Sequence, residues 1–133
     1  MNQKTKETKL SDVYQQVINF NHARGWHPLP LDDIAKSIII EAAELLELFQ
    51  WSSSSKKSDI SQDLEKLKKI RHELADVLWY CFTFCYEAGI DPGTALAEKL
   101  DHNEEKYPVE KFNGHHNDEF YKAQKAKYRE NRK

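Results

Sequence analysis

Apolar residues recur every three or four positions through most of this chain, the spacing of helices that bury one face. Val13, Tyr14, Val17 and Phe20 form the first such stripe. Ser11-Asp12 is a candidate N-cap before it, and Gly25 follows a helix expected to end near Arg24. His27-Pro28-Leu29-Pro30 reads as a rigid connector, because each proline disfavours helix in the residue before it. A second helix is predicted from about Asp32 to Trp51, with Ile34, Ile38, Leu45, Leu48 and Phe49 on its core face.

The run Ser52-Ser53-Ser54-Ser55-Lys56-Lys57 then reads as a polar loop. Ser61, Asp63 and Leu64 can open a third helix that continues to about Ala88 and stops at Gly89. Its last turns, Leu78 to Tyr86, have almost no polar face, and a helix apolar all round is buried all round. In a short chain a second subunit can supply that cover, so a homo-oligomer is expected. Asp91-Pro92-Gly93 starts a fourth helix that runs to about Lys106 and ends before Pro108. No period-two stretch calls for a sheet. The expected architecture is all-α: a four-helix bundle completed by oligomerisation, with a short C-terminal extension.

Three segments follow: an N-terminal arm over 1–10, one domain over 11–112, and a basic tail over 113–133 that either forms a short helix or stays loose. The length of 133 residues fits a single domain. No apolar run is long enough to span a bilayer, so no membrane partner is expected. The opening Met1-Asn2-Gln3-Lys4 lacks the apolar stretch of a signal peptide. Cys81 and Cys85 fit two small, reduced, buried residues better than a disulfide framework. Together these features predict a cytoplasmic protein.

Charge sharpens the picture. The net charge of −2 conceals an acidic centre, because residues 11–110 hold 10 Lys+Arg against 18 Asp+Glu. The flanks carry the opposite sign. An acidic centre is a poor surface for a nucleic-acid polymer, whose binding needs cations, but it can itself hold cations.

Two acidic pairs give that acidity a place. Glu41 and Glu44 lie mid-way along the second predicted helix, Glu73 and Asp76 mid-way along the third. Spacing i, i+3 puts both members of each pair on one face. Their neighbours are apolar: Ile38-Ile39-Ile40 and Leu45-Leu46 around the first pair, Leu74, Val77 and Leu78 around the second. Carboxylates in such company need compensation. If the two helices pack antiparallel the four converge, and a divalent cation relieves their repulsion. All-oxygen ligation favours Mg2+, Mn2+ or Ca2+ over Zn2+. The bland reading is a set of ordinary exposed helix acids. Glu47 continues the spacing and is expected at the rim.

Tyr80 follows Asp76 by one turn on the same face. Trp26 in the first connector and Trp51 at the end of the second helix suit core packing, but can equally form platforms for a planar ring. Lys99, Asn103 and Lys106 make one polar stripe on the fourth helix, able to bind phosphate oxygens or simply face water.

These residues fall into a known pattern. Glu41 to Trp51 reads E-x-x-E-L-x-E-x-F-Q-W, and Glu73 to Tyr80 reads E-L-x-D-V-L-x-Y. Lys99 to Pro108 reads K-x-x-x-N-x-x-K-Y-P, and Phe20 to Trp26 reads F-x-x-x-R-x-W. Over residues 11–112 the chain resembles the MazG-like all-α nucleoside triphosphate pyrophosphohydrolases, most of all their dCTP pyrophosphatase branch. The resemblance implies Mg2+-dependent hydrolysis of a nucleoside triphosphate, dCTP or a related or modified pyrimidine dNTP, to the monophosphate and pyrophosphate. Mn2+ would be a substitute metal.

By motif position, Glu41, Glu44, Glu73 and Asp76 would be the catalytic metal ligands. Trp26, Trp51 and Tyr80 would line the base and sugar pocket, while Lys99, Asn103 and Lys106 would contact the nucleotide and its phosphates. The resemblance also implies a dimer of dimers. One departure stands out: where the dCTP branch often carries a histidine that frames the base, the matching position here is Val17. The tail, with His115-His116, matches no motif.

The chemistry follows from charge. A triphosphate would be repelled by four bare carboxylates, and the cation reverses that repulsion. Glu44 or Glu41 is then placed to orient or deprotonate the attacking water. The competing expectation is a non-catalytic helical module that binds nucleotide and Mg2+ without turnover.

Overall fold

Six helices and no strand make up the described residues, 8–51, 62–112 and 117–130, of the computed structural model. They are α1 (Leu10–Ala23), α2 (Leu31–Glu47), α3 (Leu64–Glu87), α4 (Pro92–Lys106), α5 (Val109–Phe112) and α6 (Asp118–Glu130). The chain divides into two compact units, residues 1–90 and 91–133.

In the first unit α3 is the spine, and both α2 and α1 pack on it. The pairing of α2 with α3 is antiparallel. Residues near Phe49 meet Lys66, Glu41 meets Glu73 and Asp76, and Ile34 shares a cleft with Tyr80 and Thr83. The core is small: Val17 and Ile18 from α1, Ile34 from α2 and Phe82 from α3 are buried. Tyr14 meets Phe82 edge-on at 5.5 Å, and Phe20 meets Trp79 edge-on at 4.9 Å.

Helix ends show the local chemistry. At α3 the Asp63 carboxylate accepts from the Lys66 amide at 2.9 Å, and Gly89 leaves the helix with φ 67°. At α4 the Asp91 carboxylate accepts from the Thr94 amide at 2.7 Å, ahead of Pro92 in the first turn. Two boundaries differ from expectation. The N-cap of α1 is Lys9, not Ser11, whose hydroxyl instead points to the Asp12 carboxylate. Helix α2 ends at Glu47 rather than Trp51, because amides of Phe49 and Gln50 bond three residues back and tighten the chain into a turn.

The second unit holds α4, α5 and α6. Much of the expected tail is the helix α6, capped by Asn117, whose side-chain oxygen accepts from the Phe120 amide at 3.0 Å. Aromatic contacts hold it in place: Tyr107 stacks on Tyr121 at 5.3 Å, and Tyr128 meets His102 at 5.2 Å. The serine loop, Ser61, His115-His116 and most of the N-terminal arm lie outside the described residues.

Large apolar side chains remain open on α2 and α3. Ile39 is 70% exposed and Leu46 69%, with Ile40, Leu74 and Leu78 also exposed. These flank the acidic pairs, so much of the apolar company noted in the sequence is surface within a single chain, while Ile38, Leu45 and Val77 are half-buried.

Candidate active site

The antiparallel packing of α2 on α3 brings Glu41, Glu73 and Asp76 together, one carboxylate oxygen from each lying within 4.8 Å of the others. Glu41 and Glu73 are half-buried and Asp76 is exposed. Burial, reinforced by the negative charges of Glu44, Asp76 and Glu73, holds the Glu41 carboxyl above the ordinary glutamate range. Three converging carboxylates with no lysine or arginine paired to them among the described residues fit a hard divalent cation, which takes oxygen ligands and relieves this repulsion. Glu44 stands outside the trio, exposed one turn along α2. Glu47 is exposed at the end of the helix.

One turn away on both helices lies a cleft of about 290 Å³. Ser37 precedes Glu41 by four residues and Tyr80 follows Asp76 by four, which places cleft and trio about 6 Å apart along the helix axes. Trp26 and Tyr80 line the cleft, as does Trp79. The F-x-x-x-R-x-W segment builds its rim, since the Arg24 guanidinium sits 3.3 Å over the Phe20 ring, and Phe20 meets Trp26 edge-on at 5.9 Å. Beneath the aromatics lie Ile34 and a polar pair, Asn21 and Thr83.

The other expected residues are placed as follows. Trp51 is 90% exposed in the turn after α2 and does not line this cleft. Lys99, Asn103 and Lys106 belong to the second unit. There Lys99 and Lys106 line a cavity of about 170 Å³ with His102, Lys125, Tyr128 and Arg129. Asn103 is half-buried and is not part of that lining. The sequence reading missed Asn21, Thr83, Asp33 and Ser37 as cleft residues. Asn21 had a signal, an amide one residue after Phe20 on the buried side of α1, but Thr83 had none beyond being polar in an apolar run.

The MazG-like family model matches residues 36–122. The chain belongs to the MazG-like family. A solved pyrophosphatase from Archaeoglobus fulgidus is 35% identical, covering 77% of this chain and 95% of its own, with a TM-score of 0.62. The dCTP pyrophosphatase 1 of Rattus norvegicus is 28% identical over 104 residues, and that of Homo sapiens is 26% identical over 104. Each of these two alignments covers 77% of this chain and 61% of the relative. The MazG-like match takes in both acidic pairs, α4 and the first residues of α6, but not α1 or Trp26.

Proposed function

We propose that this protein hydrolyses a nucleoside triphosphate to the monophosphate and pyrophosphate, with dCTP or a related or modified pyrimidine dNTP as substrate and Mg2+ as cofactor. The observation that carries the reading is the carboxylate trio of Glu41, Glu73 and Asp76, set one turn from an aromatic-walled cleft. Family membership and the activity for which the relatives are named point to the same reaction.

Glu41, Glu73 and Asp76 would hold the cation, with Glu44 completing the acidic set; Mn2+ can substitute because it takes the same oxygen donors. When bound, the cation supplies the positive charge that lets a triphosphate approach carboxylates and that stabilises charge on the pyrophosphate leaving group. Trp26 and Tyr80 grip the base and sugar between an indole and a phenol ring. Glu44 stays outside the trio and is the carboxylate free to orient a water and take its proton. Trp51, Lys99, Asn103 and Lys106 are assigned to the nucleotide by motif position, Lys99 and Lys106 as partners for phosphate oxygens.

The exposed apolar residues of α2 and α3 support a homo-oligomer, a dimer of dimers in this reading. Cys81 and Cys85, whose thiols are not joined in a disulfide, support a reducing, cytoplasmic setting. Among the described residues no helix is long and apolar enough to cross a membrane.

The deciding experiment measures pyrophosphate release from a panel of dNTPs, modified cytosine triphosphates included, with Mg2+ and with EDTA. Metal-dependent release, fastest from a cytosine nucleotide, is expected. Absence of release from every nucleotide would leave the non-catalytic binding module.

A further inference from the structure

Asn21, which lines the cleft, carries a buried acceptor that the described residues leave unused. Asn21 is 4% exposed, and its Oδ1 is buried with no hydrogen-bond partner among the described residues. Leaving a buried acceptor unmet is costly, so its retention calls for an explanation.

The orientation of this amide is determined by its neighbours. The Thr83 hydroxyl donates to the Trp79 carbonyl at 2.9 Å, a bond within α3. Its single proton is thereby used, and toward Asn21 it can only accept. The Asn21 amide nitrogen fills that role, donating to Thr83 Oγ1 at 3.0 Å. The relay Trp79–Thr83–Asn21 thus holds the Asn21 nitrogen against α3 and leaves its oxygen as the spare acceptor. Both Asn21 and Thr83 line the cleft whose walls carry Trp26, Trp79 and Tyr80.

Around this amide two further polar residues, Asp33 and Ser37, present acceptors, while the indole N–H groups of Trp26 and Trp79 and the Tyr80 hydroxyl are the donors of the lining. Asp33 contributes a carboxylate, one oxygen of which already meets Lys36 Nζ at 2.9 Å, and Ser37 has committed its proton to the Asp33 carbonyl at 3.0 Å. Asn21, Asp33 and Ser37 thus offer acceptors. A base whose edge carries an exocyclic amine presents two N–H donors to them. A base of the thymine or uracil type presents one N–H between two carbonyls, and those carbonyls would face other acceptors. Specificity of this kind is strong because a mismatched base leaves a buried group unpaired.

We propose that Asn21 is a specificity-determining residue: its carboxamide oxygen, oriented by Thr83, accepts an N–H from the base and selects amino-bearing bases over keto pyrimidines. The inference rests on the nucleotide reading above and supplies a base contact one turn along α1 from Val17, which offers none.

The test has two arms. Binding of deoxycytidine and thymidine to the full chain is measured by calorimetry, and kcat/KM is measured for dCTP and dTTP. Asn21→Leu keeps the side chain's size and removes the acceptor; Thr83→Val removes the relay and frees the amide to turn. Both are expected to lower the dCTP-to-dTTP ratio by about 10- to 100-fold, with Thr83→Ser restoring it. An equal loss for both nucleotides would mean that the pair merely pins α1 to α3, and would overturn the proposal. An unchanged ratio would overturn it too. If Asn21→Leu fails to fold, the Thr83→Val and Thr83→Ser pair decides. If the wild type releases no pyrophosphate, the hydrolase reading fails separately. The nucleoside titrations then decide: loss of the deoxycytidine preference in the variants sustains the inference, and wild-type binding without preference overturns it.

Discussion

Glu41 on α2 and Asp76 on α3 face each other across the helix pair, their carboxylate oxygens within 4.8 Å with Glu73 beside them. Like charges at that separation repel, and a proton or a cation relieves the repulsion. Replacing either with its amide removes a ligand while keeping the shape. Glu41→Gln and Asp76→Asn are expected to weaken Mg2+ or Mn2+ binding by about 10- to 100-fold or more, as read by titration calorimetry. Unchanged affinity would return these acids to the status of surface residues.

Glu44 gives a different outcome if it handles the water. Glu44→Gln is expected to lower kcat by about 100- to 10,000-fold while metal affinity changes far less than in Glu41→Gln. A variant that loses metal and activity together would instead make Glu44 a fourth ligand.

The raised Glu41 carboxyl predicts a pH dependence whose sign is fixed. The folded state holds that proton more tightly than the unfolded chain. Its contribution to stability is complete below the ordinary glutamate value and is lost as pH rises through the raised one. Asp91 runs the other way, because the Thr94 amide at its carboxylate lowers its pKa. Its contribution is present above the ordinary aspartate value and is lost as pH falls through the lowered one. In EDTA, the Glu41 contribution should therefore make wild type lose stability relative to Glu41→Gln as pH rises above about 4.3. Saturating Mg2+ should reverse that trend, and thermal melts of both proteins test it.

Trp26 forms one wall of the cleft. Trp26→Ala should remove about 1–3 kcal/mol of stacking, appearing as a higher KM with metal affinity unchanged. Steady-state kinetics beside a metal titration separates the two.

Association is expected to depend on the exposed apolar residues beside the acids. Ile39→Glu and Leu46→Glu should shift the protein to a smaller species in sedimentation, with helical content by circular dichroism retained. Wild-type protein that already sediments as a monomer would remove the oligomer from the proposal.

The four expected helices are legible in the chain because amphipathic spacing, caps and breakers act within a few residues. Asp91-Pro92-Gly93 opens α4, and Gly89 closes α3 with a positive φ. The acidic pairs are legible for the same reason, since i, i+3 spacing sets a shared face. The tail is not. Helix α6 is placed by ring contacts such as Tyr107 with Tyr121, and no short-range period announces a contact made across a turn.

The sequence alone therefore determined the first four helices, the acidic pairs and the family pattern, because each is written in spacings of a few residues along one helix. Tertiary structure decided which acids meet. It drew Glu73 and Asp76 to Glu41 and left Glu44 outside the trio. It also joined Asn21 to Thr83, far apart in sequence, at 3.0 Å inside the cleft. Such pairings depend on how two helices cross and which atoms then share a small volume, and no local pattern along the chain encodes that.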